Sequence, residues 1–165
     1  MTINGGYISN DTSVAVYADG YSDYGTYTCN VTVTNGTIDG GLWYNGRTTT
    51  EGKNITVSGG NFIAGTNGAL TIRNVPNTAV ISGGTFQGAV SIPAGVKAIS
   101  GGTFSAAVPA DNCALGYLPA ENADGTYGVM VDPAYGKLAM IGDTYYEAVS
   151  DALADAKNKG MTLEE

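Results

Sequence analysis

The sequence predicts an all-β protein: a parallel β-helix (β-solenoid) of about five rungs, a closing β-hairpin and a C-terminal helix. Three observations carry this prediction. A six-residue motif recurs five times before residue 105. The chain holds 25 glycines in 165 residues, about twice the average share. Only 13% of its residues are charged, about half the average share, and the repeated region shows no helical period.

The repeat is built from β-branched residues and glycine. Its copies span residues 3–8, 33–38, 57–62, 81–86 and 99–104. The fourth position is always Gly, at 6, 36, 60, 84 and 102, so the steps are 30, 24, 24 and 18 residues. Every copy begins with Ile or Val, followed by Asn, Thr or Ser. Repeats of this length without a helical period are typical of solenoids, in which each rung packs on the next.

Each position of the motif has a predicted place in a rung. An apolar residue followed by a polar one fits a short strand that points inward and then outward. The glycine pair permits a bend with positive φ, where a Cβ would clash with neighbouring rungs. The predicted turn glycines are Gly6, Gly36, Gly60, Gly84 and Gly102, and the predicted inward ladder is Ile8, Ile38, Phe62, Phe86 and Phe104. The other walls are predicted from Leu42 and Tyr44, from Leu70, Ile72 and Val75, and from Val90, Ile92 and Val96. The differences in step length are predicted to be loops of varying size at one corner.

The two cysteines are predicted to be free thiols. Cys29 precedes the second copy of the motif and Cys113 follows the fifth, so at least three rungs separate them. At about 4.8 Å per rung this is roughly 14 Å, beyond the approximately 7 Å Cα limit for a disulfide. The alternative is an end cap that folds back far enough to join them.

After the fifth copy the pattern changes twice. Residues 113–119 and 126–131 flank the turn sequence 122–125, which predicts a hairpin that closes the open end of the solenoid. Residues 144–147, Thr-Tyr-Tyr-Glu, have the form of a capping box, and a helix is predicted from there to Gly160. The predicted organisation is β-helix rungs over 1–109, a capping hairpin over 110–132, and a linker with an amphipathic helix over 133–165.

Composition argues against several classes of function. The chain has no histidine, which removes His-based general bases and His-ligated zinc. A net charge of −8 disfavours nucleic acid and anionic membrane surfaces as partners. No apolar stretch reaches the roughly 18 residues of a membrane span, so we expect no membrane insertion. Nothing in the sequence calls for a cofactor.

The order of the motifs resembles a known class of proteins. Ile-Ser-Gly-Gly-Thr-Phe stands at both 81–86 and 99–104, followed by Cys-Ala-Leu-Gly-Tyr at 113–117 and Asn-Ala-Asp-Gly-Thr-Tyr at 122–127. This order resembles large, repetitive secreted surface proteins of gut-dwelling Firmicutes and related anaerobes, which carry pectate-lyase-like right-handed parallel β-helix modules. Residues 137–148 are similar to the lead-in of a following module in such proteins. The resemblance implies a right-handed β-helix located outside the cell or at the bacterial cell surface, and it implies no reaction.

The distribution of carboxylates disfavours catalysis. β-Helices of the superfamily that the chain resembles include polysaccharide lyases and hydrolases. Glycoside hydrolysis needs two carboxylates about 5–9.5 Å apart, and uronate lyases need clustered carboxylates for calcium with an Arg or Lys base. No Asp or Glu occurs between Glu51 and Asp111, where the charged residues are Lys53, Arg73 and Lys97. We therefore predict no catalytic residues and no enzyme activity.

Aromatic residues are concentrated in the N-terminal third. Six of them, Tyr17, Tyr21, Tyr24, Tyr27, Trp43 and Tyr44, fall within 28 residues, whereas 45–116 contains neither Tyr nor Trp. Such rings stack on sugar faces or pack a long loop onto the wall, and packing is favoured for most of them. For a ligand site the candidates are Trp43, Tyr44, Tyr21 and Tyr24. The sequence 19–23 has two Asp but lacks the alternating oxygen ligands of a calcium loop, so no metal site is predicted.

These observations predict a non-catalytic structural or adhesive β-helix module of a larger bacterial cell-surface or secreted protein. The alternative is a carbohydrate-binding module that uses the N-terminal aromatic residues, with glycans or a host surface as partner. A carbohydrate-degrading β-helix enzyme is the third and least favoured hypothesis.

Overall fold

The structure, a computed structural model, describes residues 1–20, 28–46, 53–74 and 78–161. Within these ranges it is mostly β, with one α-helix near the C-terminus. This composition is compatible with the predicted all-β class, and the sheets of the first unit contain parallel strands. The chain divides into two compact units, Met1–Met130 and Val131–Glu165.

The strands differ widely in length. In chain order they are β1 (Thr2–Ser9), β2 (Val16–Asp19), β3 (Cys29–Asp39), β4 (Leu42–Asn45), β5 (Lys53–Ile63), β6 (Leu70–Arg73), β7 (Thr78–Gln87), β8 (Val90–Ser91), β9 (Ile99–Phe104), β10 (Tyr117–Glu121), β11 (Tyr127–Val131), β12 (Ala139–Ile141) and β13 (Thr144–Tyr146). A 3₁₀ turn, Ala110–Asn112, precedes β10, and the helix α1 (Val149–Asn158) follows β13.

Successive strands of the first unit alternate between two sheets. The larger sheet has the order β1-β3-β5-β7-β9-β11-β10, and the smaller sheet has the order β2-β4-β6-β8. Every neighbouring pair among β1 to β9 is parallel. One cluster of buried apolar residues contains side chains from both sheets. Both sheets therefore contribute their inner faces to the same core.

A column of apolar side chains crosses the larger sheet at the sixth position of the motif. The parallel register pairs Ile8 with Ile38, Ile38 with Phe62, Phe62 with Phe86, and Phe86 with Phe104. All are buried except Ile8, which is half-buried on the outermost strand. The three phenylalanine rings stack at centroid distances of 4.7 and 4.8 Å, close to the strand spacing of about 4.8 Å. The residues predicted as the inward ladder thus stand in one continuous column.

The smaller sheet has two inner columns. One consists of Val16, Leu42, Leu70 and Val90, and the other of Ala18, Tyr44 and Ile72. All seven are buried except Val90, which is partly buried and packs against the core, as do Ile92 and Val96. Val75, predicted for the same wall, lies outside the described residues.

Chain length varies at both connections between the sheets. On the way to the smaller sheet, Val16 is eight positions after Ile8, whereas Leu42 is four positions after Ile38. The return path shortens as well, from 22 residues between Val16 and Ile38 to 20 between Leu42 and Phe62. The prediction that only one corner varies is therefore wrong. Because the two variations are superimposed, the motif spacing alone does not give the register of the smaller sheet.

The two glycines of each motif meet different constraints. The second has positive φ in all five copies, from 84° to 109°, a region that residues with a Cβ rarely adopt. The first, at Gly59, Gly83 and Gly101, has its φ outside that region but lacks lateral room. Gly5 has open space at the same position, and the second copy has Asn35 there. A Cβ at Gly59 would fall inside van der Waals distance of the Thr34 carbonyl oxygen on the preceding strand, and Gly83 and Gly101 face Ser58 and Ser82 in the same way. The sequence prediction assigned both constraints to the glycine pair as a whole, and the structure assigns positive φ to the second glycine and the closest carbonyl contacts to the first.

A hairpin ends the larger sheet. β11 pairs antiparallel with β9, and β10 is the outermost strand. Between β10 and β11, the Asn122 N–H donates to the Thr126 carbonyl (2.8 Å) and the Gly125 N–H donates to the Asn122 carbonyl (3.0 Å). The sequence predicted that the first hairpin strand begins at residue 113. It begins at Tyr117 instead, because Cys113 is the C-cap of the 3₁₀ turn.

The second unit is an antiparallel β12–β13 hairpin followed by α1. The predicted capping box at 144–147 is wrong. Thr144 belongs to β13, and the helix begins at Val149 after Ala148, which offers no side-chain cap. Glu147 instead forms an ion pair with Lys137, with 2.5 Å between Oε1 and Nζ.

The end of α1 agrees with the sequence. The helix stops at Asn158, and Gly160 has a φ of +67°, the left-handed conformation with which helices commonly end. In the parts of the chain that the structure describes, no helix has the length and apolar character needed to cross a membrane.

The glycine contacts generate a first testable prediction. Gly59→Ala and Gly83→Ala should each lower the free energy of unfolding by about 1–3 kcal/mol, the usual cost of overpacking, because the new Cβ would strike a backbone carbonyl. Gly5→Ala is the matched control and should stay within about 0.5 kcal/mol, since its Cβ would meet no described atom within 4 Å. Urea unfolding followed by the fluorescence of Trp43 measures all three. Equal losses at Gly59 and Gly5 would contradict the assigned strand stacking.

The phenylalanine column generates a second prediction. Phe86 lies between the rings of Phe62 and Phe104, so Phe86→Ala should cost about 3–5 kcal/mol by opening a cavity in the column. Thr85→Ala, next to it on the exposed side of β7, should cost far less. Thermal and urea unfolding of both variants test this, and a small loss for Phe86→Ala would mean that the rings do not stack.

Candidate functional site

The outer face of the smaller sheet carries two aromatic residues that stay accessible, Tyr17 and Trp43. Residues that alternate with the inner columns form an outward row, Tyr17–Trp43–Thr71–Ser91, held in register by parallel pairing. Tyr17 is 60% exposed and Trp43 is half-buried. We name this row, with Arg73, the aromatic face.

Two side chains pack against the ring of Trp43. The Tyr17 and Trp43 rings stack with an angle of 9° between their planes and 4.5 Å between their centroids. The guanidinium carbon of Arg73 lies 5.9 Å from the Trp43 ring centroid, within the range of a cation–π interaction. The Tyr17 hydroxyl donates a hydrogen bond to Asp19 Oδ2 at 3.0 Å. The aromatic face is therefore an ordered arrangement of rings with a cation beside it.

A shallow groove of about 430 Å³ runs along this face. Besides the aromatic face, it is lined by Ser13, Val14 and Asn67. The Thr71 hydroxyl already donates to the Asn67 carbonyl at 2.5 Å. The groove thus combines apolar ring surface with hydroxyl, amide and guanidinium groups, the mixture that small polar ligands require.

The prediction that Tyr44 contacts a ligand is wrong. Tyr44 is fully buried in an inner column of the smaller sheet. Alternation along β4 turns its side chain away from the side that Trp43 occupies. Its hydroxyl donates to the Cys29 carbonyl at 2.9 Å. Burial raises the pKa of this hydroxyl well above its ordinary value. The other two predicted ligand residues, Tyr21 and Tyr24, lie outside the described residues.

A buried lysine closes one end of the core, which the sequence analysis did not anticipate. Lys53 is 1% exposed, pairs in register with Cys29, and donates a hydrogen bond from Nζ to the Gly20 carbonyl. Gly20 leaves the necessary room, since a Cβ there would lie 2.6 Å from Nζ. The signal was present in the sequence, because Lys53 stands at the inward position two residues before Ile55.

Both cysteines are free. Desolvation raises the pKa of the Cys29 thiol, although the charge of Lys53 opposes the shift. Burial likewise raises the pKa of Cys113. Because the thiolate is the reactive form, raised pKa values make both thiols poor nucleophiles at neutral pH.

The described carboxylates form no cluster that could hold a metal ion. Across residues 1–20, 28–46, 53–74 and 78–161, no group of three or more Cys, Asp and Glu side chains is placed to hold a metal ion. Asp39 accepts a hydrogen bond from Tyr7, and that bond raises the pKa of the Tyr7 hydroxyl. The sequence 19–23 cannot be followed as a loop, because Tyr21 to Asp23 lie outside the described residues.

The chain was compared with protein-family models, with curated proteins and with solved structures. None of them matches it. The resemblance to β-helix modules of secreted surface proteins therefore stays a prediction from the motifs. The outer face of the smaller sheet is accordingly judged on its geometry alone.

The buried Tyr44 generates a third prediction. Its pKa is raised in the folded chain above the unfolded value of about 10, so its stabilising contribution is complete below that pH and is lost as the pH rises towards the folded pKa. Unfolding in urea should therefore become easier between about pH 9.5 and 11. Tyr44→Phe should reduce this alkaline loss, at a cost of about 1 kcal/mol at pH 7 for the missing hydrogen bond to Cys29. Tyr135→Phe, at an exposed tyrosine of the second unit, is the control. An unchanged alkaline slope in Tyr44→Phe would contradict the prediction.

Proposed function

We propose that the chain is a non-catalytic, right-handed parallel β-helix module that serves as a structural or adhesive part of a larger bacterial cell-surface or secreted protein. The observation that carries this proposal is the regular alternation of parallel strands between two sheets that share one core. A chain that returns to the same sheet after each visit to another sheet winds in coils, and such parallel crossovers are right-handed in about 98% of cases.

The absence of carboxylates from the repeated region supports a non-catalytic role. The sequence from 52 to 110 contains no Asp or Glu. Of its cations, Lys53 is buried and bonded to Gly20, and Arg73 lies against Trp43. A polysaccharide lyase or hydrolase would need acids on neighbouring strands of this region. The parallel wall offers a stiff support and no acid–base machinery.

The ladder of the larger sheet supports a structural role. Stacked side chains and parallel strand pairing extend without interruption from β1 to β9. The hairpin behind β9 covers one end of that sheet. Each inner strand of such a sheet is hydrogen-bonded to a neighbouring strand on both sides. This property suits a spacer that holds another domain away from a surface.

A second candidate function is carbohydrate binding, which the aromatic face favours. Exposed ring surface at Tyr17, hydroxyl and amide groups in the groove, and the guanidinium of Arg73 are the groups with which proteins contact sugars. On this alternative, the module is adhesive through glycans. Tyr21 and Tyr24 would add to the site only if they lie beside it.

A product assay tests the non-catalytic proposal. We expect no new reducing ends and no unsaturated products after prolonged incubation of the protein with pectins and host glycans. Protein exposed to heat beyond unfolding is the control for background hydrolysis. Products that form only with folded protein would overturn the proposal and would revive the enzyme hypothesis.

A binding experiment decides between a purely structural module and a carbohydrate-binding one. Trp43 is the single tryptophan of the chain, so a glycan in the groove should change its fluorescence directly. On a glycan array, Trp43→Ala should abolish any saturable binding, whereas Tyr135→Ala, an exposed aromatic of the second unit, should leave it unchanged. Saturable binding lost in Trp43→Ala supports the carbohydrate-binding alternative. No binding by the unmodified chain supports the structural module alone.

A further inference from the structure

The outermost strand of the larger sheet keeps a glycine that its described surroundings do not require. Gly5 is exposed, its φ lies outside the left-handed region, and no described atom lies within 4 Å of the position its Cβ would take. Gly59, Gly83 and Gly101 hold the same place in the third to fifth copies of the motif, and Asn35 holds it in the second. At those three positions the carbonyl of the preceding strand excludes a Cβ. Gly5 is thus the glycine of this column at which the described chain places no steric obstacle to a Cβ.

Close approach of a backbone carbonyl to a motif glycine recurs at every junction between the parallel strands of the larger sheet. The glycine stands at the fourth motif position at the first junction and at the third position at the other three. Between β1 and β3 the register shifts and pairs Asn4 with Asn35. The carbonyl of Gly5 then approaches the second glycine of the next copy, Gly36, whose Cβ would lie 2.9 Å from it. At each of the four junctions, a carbonyl on one strand therefore lies against a motif glycine on the next. Among the strands that carry the motif, only β1 has no strand before it in the sheet order.

The two outer edges of the larger sheet differ in their chemistry. β10 contains Pro119, which lacks an N–H, and Glu121, whose charge opposes the approach of another strand. Natural proteins commonly protect sheet edges with such residues. β1 is eight residues long and contains no proline and no charged side chain. The β10 edge is protected against strand addition, and the β1 edge is not.

We propose that β1 is a docking edge for a further parallel rung of the same Gly–Gly type, joined ahead of residue 1, whose backbone carbonyl lies against Gly5. The proposal rests on the proposed β-helix, because such a rung adds one strand beside β1 and another beside β2. A second copy of this chain does not supply the contact. The outermost strands of its larger sheet are β1 and β10. β10 lacks the motif, and a β1 related by a two-fold axis either runs antiparallel or meets its partner with the faces of the sheet reversed.

An extended chain tests this proposal. A copy of residues 55–78 placed directly before Met1 puts its Gly-Gly turn 24 residues ahead of Gly6, the spacing between Gly60 and Gly84. We expect the added segment to fold as one rung, so that the amide protons of β1 on the side away from β3 exchange more slowly with solvent. Hydrogen exchange measured by NMR on the extended and the 165-residue chains reports this change residue by residue.

Gly5→Ala made in both chains is the decisive comparison. In the extended chain it should remove the new protection and lower the melting temperature by about 2–4 °C or more. This is the shift expected when one overpacked contact is introduced into a chain of this size. In the 165-residue chain it should change neither quantity. Asn4→Ala, one residue away, is the matched control and should have no effect in either chain. Equal effects of Gly5→Ala in both chains, or β1 amides that stay unprotected in the extended chain, would overturn the proposal.

A second measurement covers failure of the extended chain to fold. A synthetic peptide of residues 53–63, which form β5, is titrated into the 165-residue chain. Slower exchange at β1, absent in the Gly5→Ala chain, supports docking of a parallel strand. Protection that depends on protein concentration without peptide identifies a second copy as the occupant and contradicts the proposal. If Gly59→Ala is destabilising but Gly5 is never sensitive, the strand stacking stands and only the docking edge fails.

Discussion

Close backbone approach at the glycine pair is the constraint on which the first unit depends. Neighbouring strands in a sheet lie about 4.8 Å apart, and at the motif turn a carbonyl of one strand points at the Cα of the next. Thr34 and Gly59 show this contact most clearly. A methyl group at that Cα would push the strands apart, and the columns on either side would lose register. The glycine excess of the composition is therefore a steric requirement of strand stacking, combined with the positive φ that the second glycine supplies.

The side-chain columns follow from this backbone spacing. Because the rings of Phe62, Phe86 and Phe104 are separated by 4.7 and 4.8 Å, they stack face to face at the distance that the strands impose. On the outer side of the smaller sheet, the same spacing places Tyr17 against Trp43 at 4.5 Å. One column is buried and stabilises the fold. The other is accessible and gives the outer face of the smaller sheet an ordered pair of stacked rings.

The larger sheet could be predicted from the sequence because a motif marks each of its first five strands. The inward ladder from Ile8 to Phe104 follows from column purity and needs no knowledge of loops. The smaller sheet carries no such motif, and both of its connections vary in length, so the pairing of Trp43 with Thr71 could not be derived from spacing. The capping box failed for a different reason. Thr144 lies in a β-branched and aromatic run that pairs with β12, and strand pairing there outweighs the local capping signal.

The aromatic face likewise combines a feature that the sequence indicates with one that only the three-dimensional structure defines. Clustering of Tyr and Trp indicated the region, but the pattern Leu42-Trp43-Tyr44 did not by itself say which ring is accessible. Register decides it, because Leu42 and Tyr44 flank the core side and leave Trp43 outside. Arg73 was noted only as a charge in a region without acids. Its position over the Trp43 ring depends on a strand pairing that no local signal predicts.

The first glycine of each motif makes the assembly directional. Gly59, Gly83 and Gly101 each touch the strand before them, and nothing equivalent is set on their other side. A substitution in this column therefore harms the junction on its N-terminal side and spares the junction that follows. A mutation in this column would then be constrained by a single neighbouring strand. A chain built in this way tolerates the gain or loss of a whole repeat by duplication or deletion, while change within a repeat is restricted.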